Sequence, residues 1–191
     1  MDDLMRCGWA SAVDQVYREY HDREWGVPLH DDQKMFELFV LEGFQAGLSW
    51  GTILRKRANF RNGLDGFNPR KVALYDKRKI MNLKNDAGII RNELKIRSAV
   101  DNAKAFLDVQ REFGTFDSYV WRFVGNKPRI NCWHGLREIP ATTEQSDALS
   151  SDLIKRGFRF AGSRICYAYM QATGMVNDHI VSCFRYKELT K

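Results

Sequence analysis

Apolar positions along this chain recur at spacings of three and four rather than two, and most recurrences follow a side chain suited to begin a helix. Behind Asp31 and Asp32, the residues Met35, Phe36, Phe39, Val40 and Gly43 fall on one side at helical spacing, which predicts a helix through Ala46. Ser49 caps the next, running from Trp50 to Arg61 and ending near Gly63. Its Arg55, Lys56, Arg57 and Arg61 give it a basic outer face. Asn68-Pro69 reads as a cap followed by proline at the first helical position, and Asp76 starts a short helix that Ala87-Gly88 closes. Asn92 opens the longest segment, to Phe113. Leu94, Ile96, Ala99, Val100, Ala103, Phe106 and Leu107 give it a broad apolar face, and it is the expected central helix. Further helices are predicted from Phe116 to Val124, from Thr143 to Arg156 with Glu144 and Asp147 in its first turn, from Ser163 to Ala172, and from near Asn177. Sustained period-2 alternation is missing, so the expected fold class is all-α. Gly125 to Pro140, with Pro128 and Gly135, has no period and reads as a long connection packed by Trp133 and Ile139.

The length of 191 residues fits one domain, or two small lobes sharing a core. With 44% apolar, 28% charged and 13% aromatic residues, the composition is that of an ordinary globular chain and excludes disordered or fibrous classes. Lysine plus arginine exceed aspartate plus glutamate by 30 to 24, a net charge of +6 that suits a polyanionic partner. No apolar run approaches the roughly 18 residues of a membrane span, and Asp2, Asp3 and Arg6 interrupt the place of an export segment. A cytoplasmic protein with no membrane partner is expected. Its four cysteines, Cys7, Cys132, Cys166 and Cys183, are then free thiols or metal ligands rather than disulfides.

Three groupings carry candidate chemistry. His179 and Cys183, four apart in the last predicted helix, would share one face, and Cys7 with His21 offers a second pair of donors of the type Zn²⁺ favours. Such a closed site would be structural and join the two ends of the chain; the competing reading is a buried thiol beside a hydrogen-bonded histidine. The second grouping gathers Trp9, Tyr17, Tyr20, Trp25 and Trp50 around Glu42, a carboxylate on an apolar face. Electron-rich rings beside a carboxylate suit a flat cationic ring such as a charged nucleobase, whereas the bland alternative is core aromatics and a helix carboxylate reaching solvent. The third is the stretch from Ile154 to Arg164, in which Gly157 and Gly162 punctuate two helices among Lys155, Arg156, Arg159 and Arg164. A helix-hairpin-helix of this kind presents amides to a phosphate at the second helix's start; an ordinary glycine-capped turn is the alternative.

Longer matches add to these groupings: Arg6-Cys7-Gly8-Trp9, Tyr20-His21-Asp22, Glu24-Trp25-Gly26-Val27-Pro28, the segment 41–50, Asp86-Ala87-Gly88-Ile89-Ile90-Arg91, and Val176-Asn177-Asp178-His179. From about Arg6 to about Cys183 the chain resembles the type I 3-methyladenine DNA glycosylases, bacterial alkylation-repair enzymes of the helix-hairpin-helix glycosylase superfamily. The resemblance implies a structural Zn²⁺ on Cys7, His21, His179 and Cys183. It implies that Glu42 and Tyr20 hydrogen-bond an extruded base, that Trp50 stacks on it, and that Trp9 and Trp25 shape the wall. It also implies that the turn with Gln45, Gly47 and Leu48 enters the DNA with Leu48 as an apolar wedge, while Phe158, Arg159, Gly162 and Ser163 take the hairpin role. A single glycosylase domain, 1–191, is expected, with a zinc-linked terminal lobe (1–30 and 175–191), a helical lobe (31–174) holding the hairpin near 154–164, and a monomeric state. The partner implied is alkylated double-stranded DNA.

One departure bears on mechanism. Related glycosylases carry Val-Asp-Thr-His where this chain reads Val176-Asn177-Asp178-His179, so that Asn177 replaces the usual catalytic aspartate and Asp178 would face elsewhere on a helix unless the register shifts. No lysine stands out as an imine-forming nucleophile, so the expected reaction is monofunctional hydrolysis without strand cleavage. A 3-methyladenine nucleotide is already cationic, so extrusion and a positioned water supply most of what bond cleavage requires. A non-catalytic lesion-binding module is the alternative of a different class, separable by turnover, and a zinc-stabilised helical interaction protein without nucleic-acid affinity is a third.

Overall fold

The computed structural model describes residues 4–11 and 14–190; Asp2 and Asp3 lie outside them. Short helices α1 (Gly8–Ser11) and α2 (Gln15–Arg23) lead into α3 (Asp32–Gln45) and α4 (Trp50–Gly63). Then come α5 (Pro69–Val72), α6 (Lys77–Asn85), α7 (Glu93–Phe113) and α8 (Phe116–Trp121). The chain continues through β1 (Arg129–Ile130), α9 (Glu144–Lys155), α10 (Ser163–Ala172), β2 (Val176–Asn177) and α11 (Phe184–Leu189).

The helix starts follow from local chemistry, since a helix leaves its first amides without partners and a short polar side chain just before it accepts from them. Asp31, Ser49, Asn68, Asp76, Asn92 and Thr115 each accept from an amide two or three residues on, and Thr143 with Ser146 forms a reciprocal capping box. Gly114, at φ +84°, ends α7 in a conformation that favours glycine.

The central helix is α3 rather than α7. Every residue from Met35 to Phe44 is buried, because α3 packs against α4, α7, α8 and α10. Helix α7 is amphipathic, and Leu94, assigned above to its apolar face, is 68% exposed while Lys95 and Asn102 are buried. Stacked and edge-on rings bind these layers: Phe36 to Phe106 at 5.1 Å, Phe106 to Phe116 at 4.2 Å, and Phe39 to Phe158 at 5.3 Å between centroids.

Three further expectations change. The basic face of α4 is internally engaged: Arg57 and Arg61 pair with the buried Glu37, Arg55 with Asp14, and Lys56 donates to the carbonyls of Ala87 and Gly88. The stretch 125–140 is not structureless, since β1 pairs in parallel with β2, Arg129 opposite Val176; two residues are too few for a period-2 signal. The final helix begins at Phe184, so 177–183 is a strand end and turn, and His179 and Cys183 are not neighbours on a helix. At Gly174 the chain passes so close to the 27–28 backbone that an added Cβ would lie 2.3 Å from the Val27 carbonyl carbon. Among the described residues no helix is long and apolar enough to cross a membrane.

Candidate active site and metal centre

Cys7, just before α1, His21 in α2, His179 after β2 and Cys183 at the start of α11 converge in the interior, with one donor atom of each within 4.8 Å of the others. All four are fully buried. The sulfur of Cys7 is 3.6 Å from Nδ1 of His179, and that of Cys183 is 3.5 Å from Nδ1 of His179 and from Nε2 of His21. A tetrahedral ion with bonds of about 2.0–2.3 Å has edges of about 3.6 Å, so the spacing suits a metal. The remaining ring nitrogens are oriented as metal-bound histidines require: Nδ1 of His21 lies 2.7 Å from Asp22, itself held by Arg6, and Nε2 of His179 lies 3.0 Å from the Trp25 carbonyl. Contact with Cys7, then with His179 and His21, holds the Cys183 thiol far below its ordinary range, while the same contact and burial raise Cys7. These residues could hold a metal.

Beside this cluster lies a cavity of about 400 Å³ lined by Trp9, Tyr17, Tyr20, Trp25, Glu42, Gln45 and Trp50 from the first fifty residues, and by Leu136, Ile139, Pro140, Arg164, Tyr167 and Gln171 from the second half. The five aromatics expected here are all present. Trp9 meets Trp25 edge-on at 5.0 Å, and Tyr20 lies 5.4 Å from Trp50. Glu42 sits on the cavity-facing side of α3, 4% exposed, and among the described residues no hydrogen bond or ion pair satisfies it. Burial alone pushes its carboxyl up to about 8. Burial first, and Glu42 second, push the Tyr20 hydroxyl well above its ordinary range, so it stays a donor. The indole Nε1 of Trp50 is buried without a partner. An unpartnered acid, phenol and indole around one apolar space form a set that a planar polar ligand completes.

Asp178 has a different role from the one a register shift would give it. It is fully buried, and it accepts from Asn131 (2.7 Å) and Trp133 (2.7 Å) on one oxygen and from Tyr167 (2.6 Å) and Gln171 (2.8 Å) on the other. A carboxylate with both oxygens occupied twice is a strut that braces the cavity wall, not a free base. Of the wall residues from 136 to 171, the sequence reads Ile139 only as packing and Arg164 only as a basic residue of the hairpin, and nothing local marks the others.

The remaining predicted residues sit on two turns. Gln45 ends α3 at the cavity, Gly47 adopts φ +79°, and Leu48 is 42% exposed. Between α9 and α10, Gly157 takes φ +90°, Arg159 and Gly162 are exposed, and Gly162 caps α10 without a side-chain acceptor. Phe158 is instead buried against Phe39, so it anchors the turn from inside and offers no surface. The Ser163 hydroxyl is engaged by Asp147 and Ser146, leaving its amide to face outward at the helix start.

A family model described as methyladenine glycosylase matches residues 9–186. DNA-3-methyladenine glycosylase 1 of Escherichia coli (strain K12) is 49% identical over 183 residues, covering 96% of this chain and 97% of that protein. A DNA-3-methyladenine glycosylase of Haemophilus influenzae is 44% identical over 93% of this chain and 96% of its own length. A crystal structure of a 3-methyladenine DNA glycosylase I superposes with a TM-score of 0.91 at 46% identity, covering 94% of this chain and 98% of the other. Another, bound to 3-methyladenine, reaches 0.90 at 30% identity over 94% and 96%.

Proposed function

The chain belongs to the methyladenine glycosylase family, and from that premise we propose that it releases 3-methyladenine from alkylated double-stranded DNA as a monofunctional, base-flipping hydrolase. The observation that carries this reading is the Glu42 carboxyl, buried without a partner among aromatic rings. A cationic purine swung into the cavity supplies the missing charge partner: Glu42 and Tyr20 hydrogen-bond it, Trp50 stacks on it, and Trp9 and Trp25 close the wall. Neutral adenine brings no cation, so Glu42 stays protonated or unpaired and the base is rejected.

Cleavage breaks the C1′–N bond, the electron pair leaves with the base as a neutral purine, and water adds to C1′ with loss of a proton. Positive charge building on the sugar faces the DNA phosphates and Glu42. The base leaves without protonation, which accommodates Asn177 in place of an aspartate. No lysine lines the cavity among the described residues, consistent with hydrolysis and no imine. Leu48 fills the space the base leaves, and the α9–α10 turn acts as the helix-hairpin-helix, with Gly162 and Ser163 amides and Arg159 on the backbone phosphates. The net charge of +6 supports such a partner. Cys7, His21, His179 and Cys183 hold Zn²⁺, which supplies a structural cross-link between segments 1–30 and 175–191, flanking the helical lobe 31–174 of one monomeric, cytoplasmic domain.

The test is chromatography of the bases released from methylated duplex DNA, with Glu42→Gln alongside. Release of 3-methyladenine with the strand intact is expected; no release from folded, zinc-loaded protein overturns the reading and leaves lesion binding.

A further inference from the structure

Two polar side chains on α7 are buried, and both are bonded to backbone of the turns just described. Lys95 is 7% exposed, and its Nζ donates to the carbonyls of Phe44 (2.9 Å) and Ala46 (2.5 Å), the last groups before Gly47 and Leu48. Asn102 is 2% exposed. Its Nδ2 donates to the Arg159 carbonyl at 3.1 Å, and its Oδ1 accepts from the Arg159 amide at 2.6 Å. Neither group pairs with a carboxylate among the described residues. Burying an ammonium and an amide is costly unless their bonds are needed, and an apolar side chain would pack the same space without that cost. Seven residues separate the two, so they project from one face of α7 about 10 Å apart along its axis. Helix α3 and the second turn also touch directly, since a Cβ on Gly43 would lie 3.3 Å from Phe160 Cβ.

We propose that Lys95 and Asn102 are positioning residues that hold the Leu48 wedge and the phosphate-binding turn at one spacing, so that extrusion of the base and grip on the backbone occur in register. This rests on the glycosylase reading above. Neither residue lines the cavity, which separates their role from base recognition.

The experiment compares wild type with Lys95→Met, Asn102→Leu and the conservative Lys95→Arg. Binding of free 3-methyladenine is read by tryptophan fluorescence, and single-turnover release is read on methylated duplex DNA at saturating protein. Both disruptive variants are expected to bind free base within about twofold of wild type yet release it from DNA more than about tenfold slower, with Lys95→Arg restoring most of the rate. If Lys95→Met does not fold, Lys95→Gln, which keeps a polar amide but loses the charge and the reach to both carbonyls, decides the question in the same way. Folded variants that release base as fast as wild type overturn the inference, as does an equal loss of free-base binding, which would put the fault in the cavity. Wild-type protein that releases no base overturns the glycosylase reading itself, a distinguishable result.

Discussion

The Cys/His cluster and the aromatic cavity are adjacent and share Trp25, whose carbonyl faces His179 and whose ring lines the cavity, yet their polar groups are treated in opposite ways. In the cluster each histidine uses one nitrogen toward the sulfurs and the other toward Asp22 or the Trp25 carbonyl, so the set closes on itself. In the cavity Glu42 and the Trp50 indole have no partner among the described residues. A closed polar set stabilises the fold, whereas an open one costs stability and is completed only by a ligand. The first is therefore read as structural and the second as functional.

Removal of the proposed metal should break that contrast most. Chelation, or Cys183→Ala, is expected to lower the melting temperature by about 10 °C or more, followed by calorimetry with metal analysis; a protein indifferent to chelator and free of zinc reduces the cluster to hydrogen-bonded thiols. Glu42→Gln tests the open side. It should slow base release about 100-fold, roughly 2.7 kcal/mol of transition-state stabilisation, while leaving the fold as stable or more so. The sign with pH follows from burial: the carboxyl titrates near 8 when folded against 4.5 as the ordinary value. The unfolded chain releases that proton first. The contribution of Glu42 to wild-type stability is thus fullest below about 4.5 and declines toward about 8, by up to about 1.4 kcal/mol per unit, and Glu42→Gln is spared that decline. Urea unfolding at the two ends of this range measures it, and parallel curves for both proteins would show that Glu42 has a partner.

Asp178→Asn sharpens the boundary between the two regions. Its four donors predict a loss of about 2–3 kcal/mol in stability with release slowed less than about threefold, read by melting and single-turnover rates. Collapse of the rate with stability intact would instead make Asp178 part of the cavity's chemistry. The smallest effect is expected for Leu94→Ser, within about 0.5 kcal/mol by denaturant unfolding, because that side chain is exposed despite its place in the apolar pattern.

Much of the helical layout is legible because a cap acts over three residues: Ser49, Asn92 and Thr143 mark helix starts wherever the rest of the chain lies. The donors Cys7, His21, His179 and Cys183 are legible by residue type, although the helical spacing that paired the last two is absent, since 179–183 turns where the sequence suggests a helix. Glu42 stands out as a carboxylate in an apolar run; that it has no partner does not show in the sequence. Lys95 and Asn102 read as an ordinary helix face, because their partners lie 51 and 57 residues away. Two of the four donors to Asp178, Asn131 and Trp133, are likewise remote, 47 and 45 residues away, whereas Tyr167 and Gln171 lie 11 and 7 residues off and are brought round by the turn after α10. Residue type and short-range spacing determine where helices begin and which side chains have chemistry to offer. Which of those groups end up satisfied and which are left open depends on surfaces that meet only when distant segments pack, and that is decided by the tertiary structure alone.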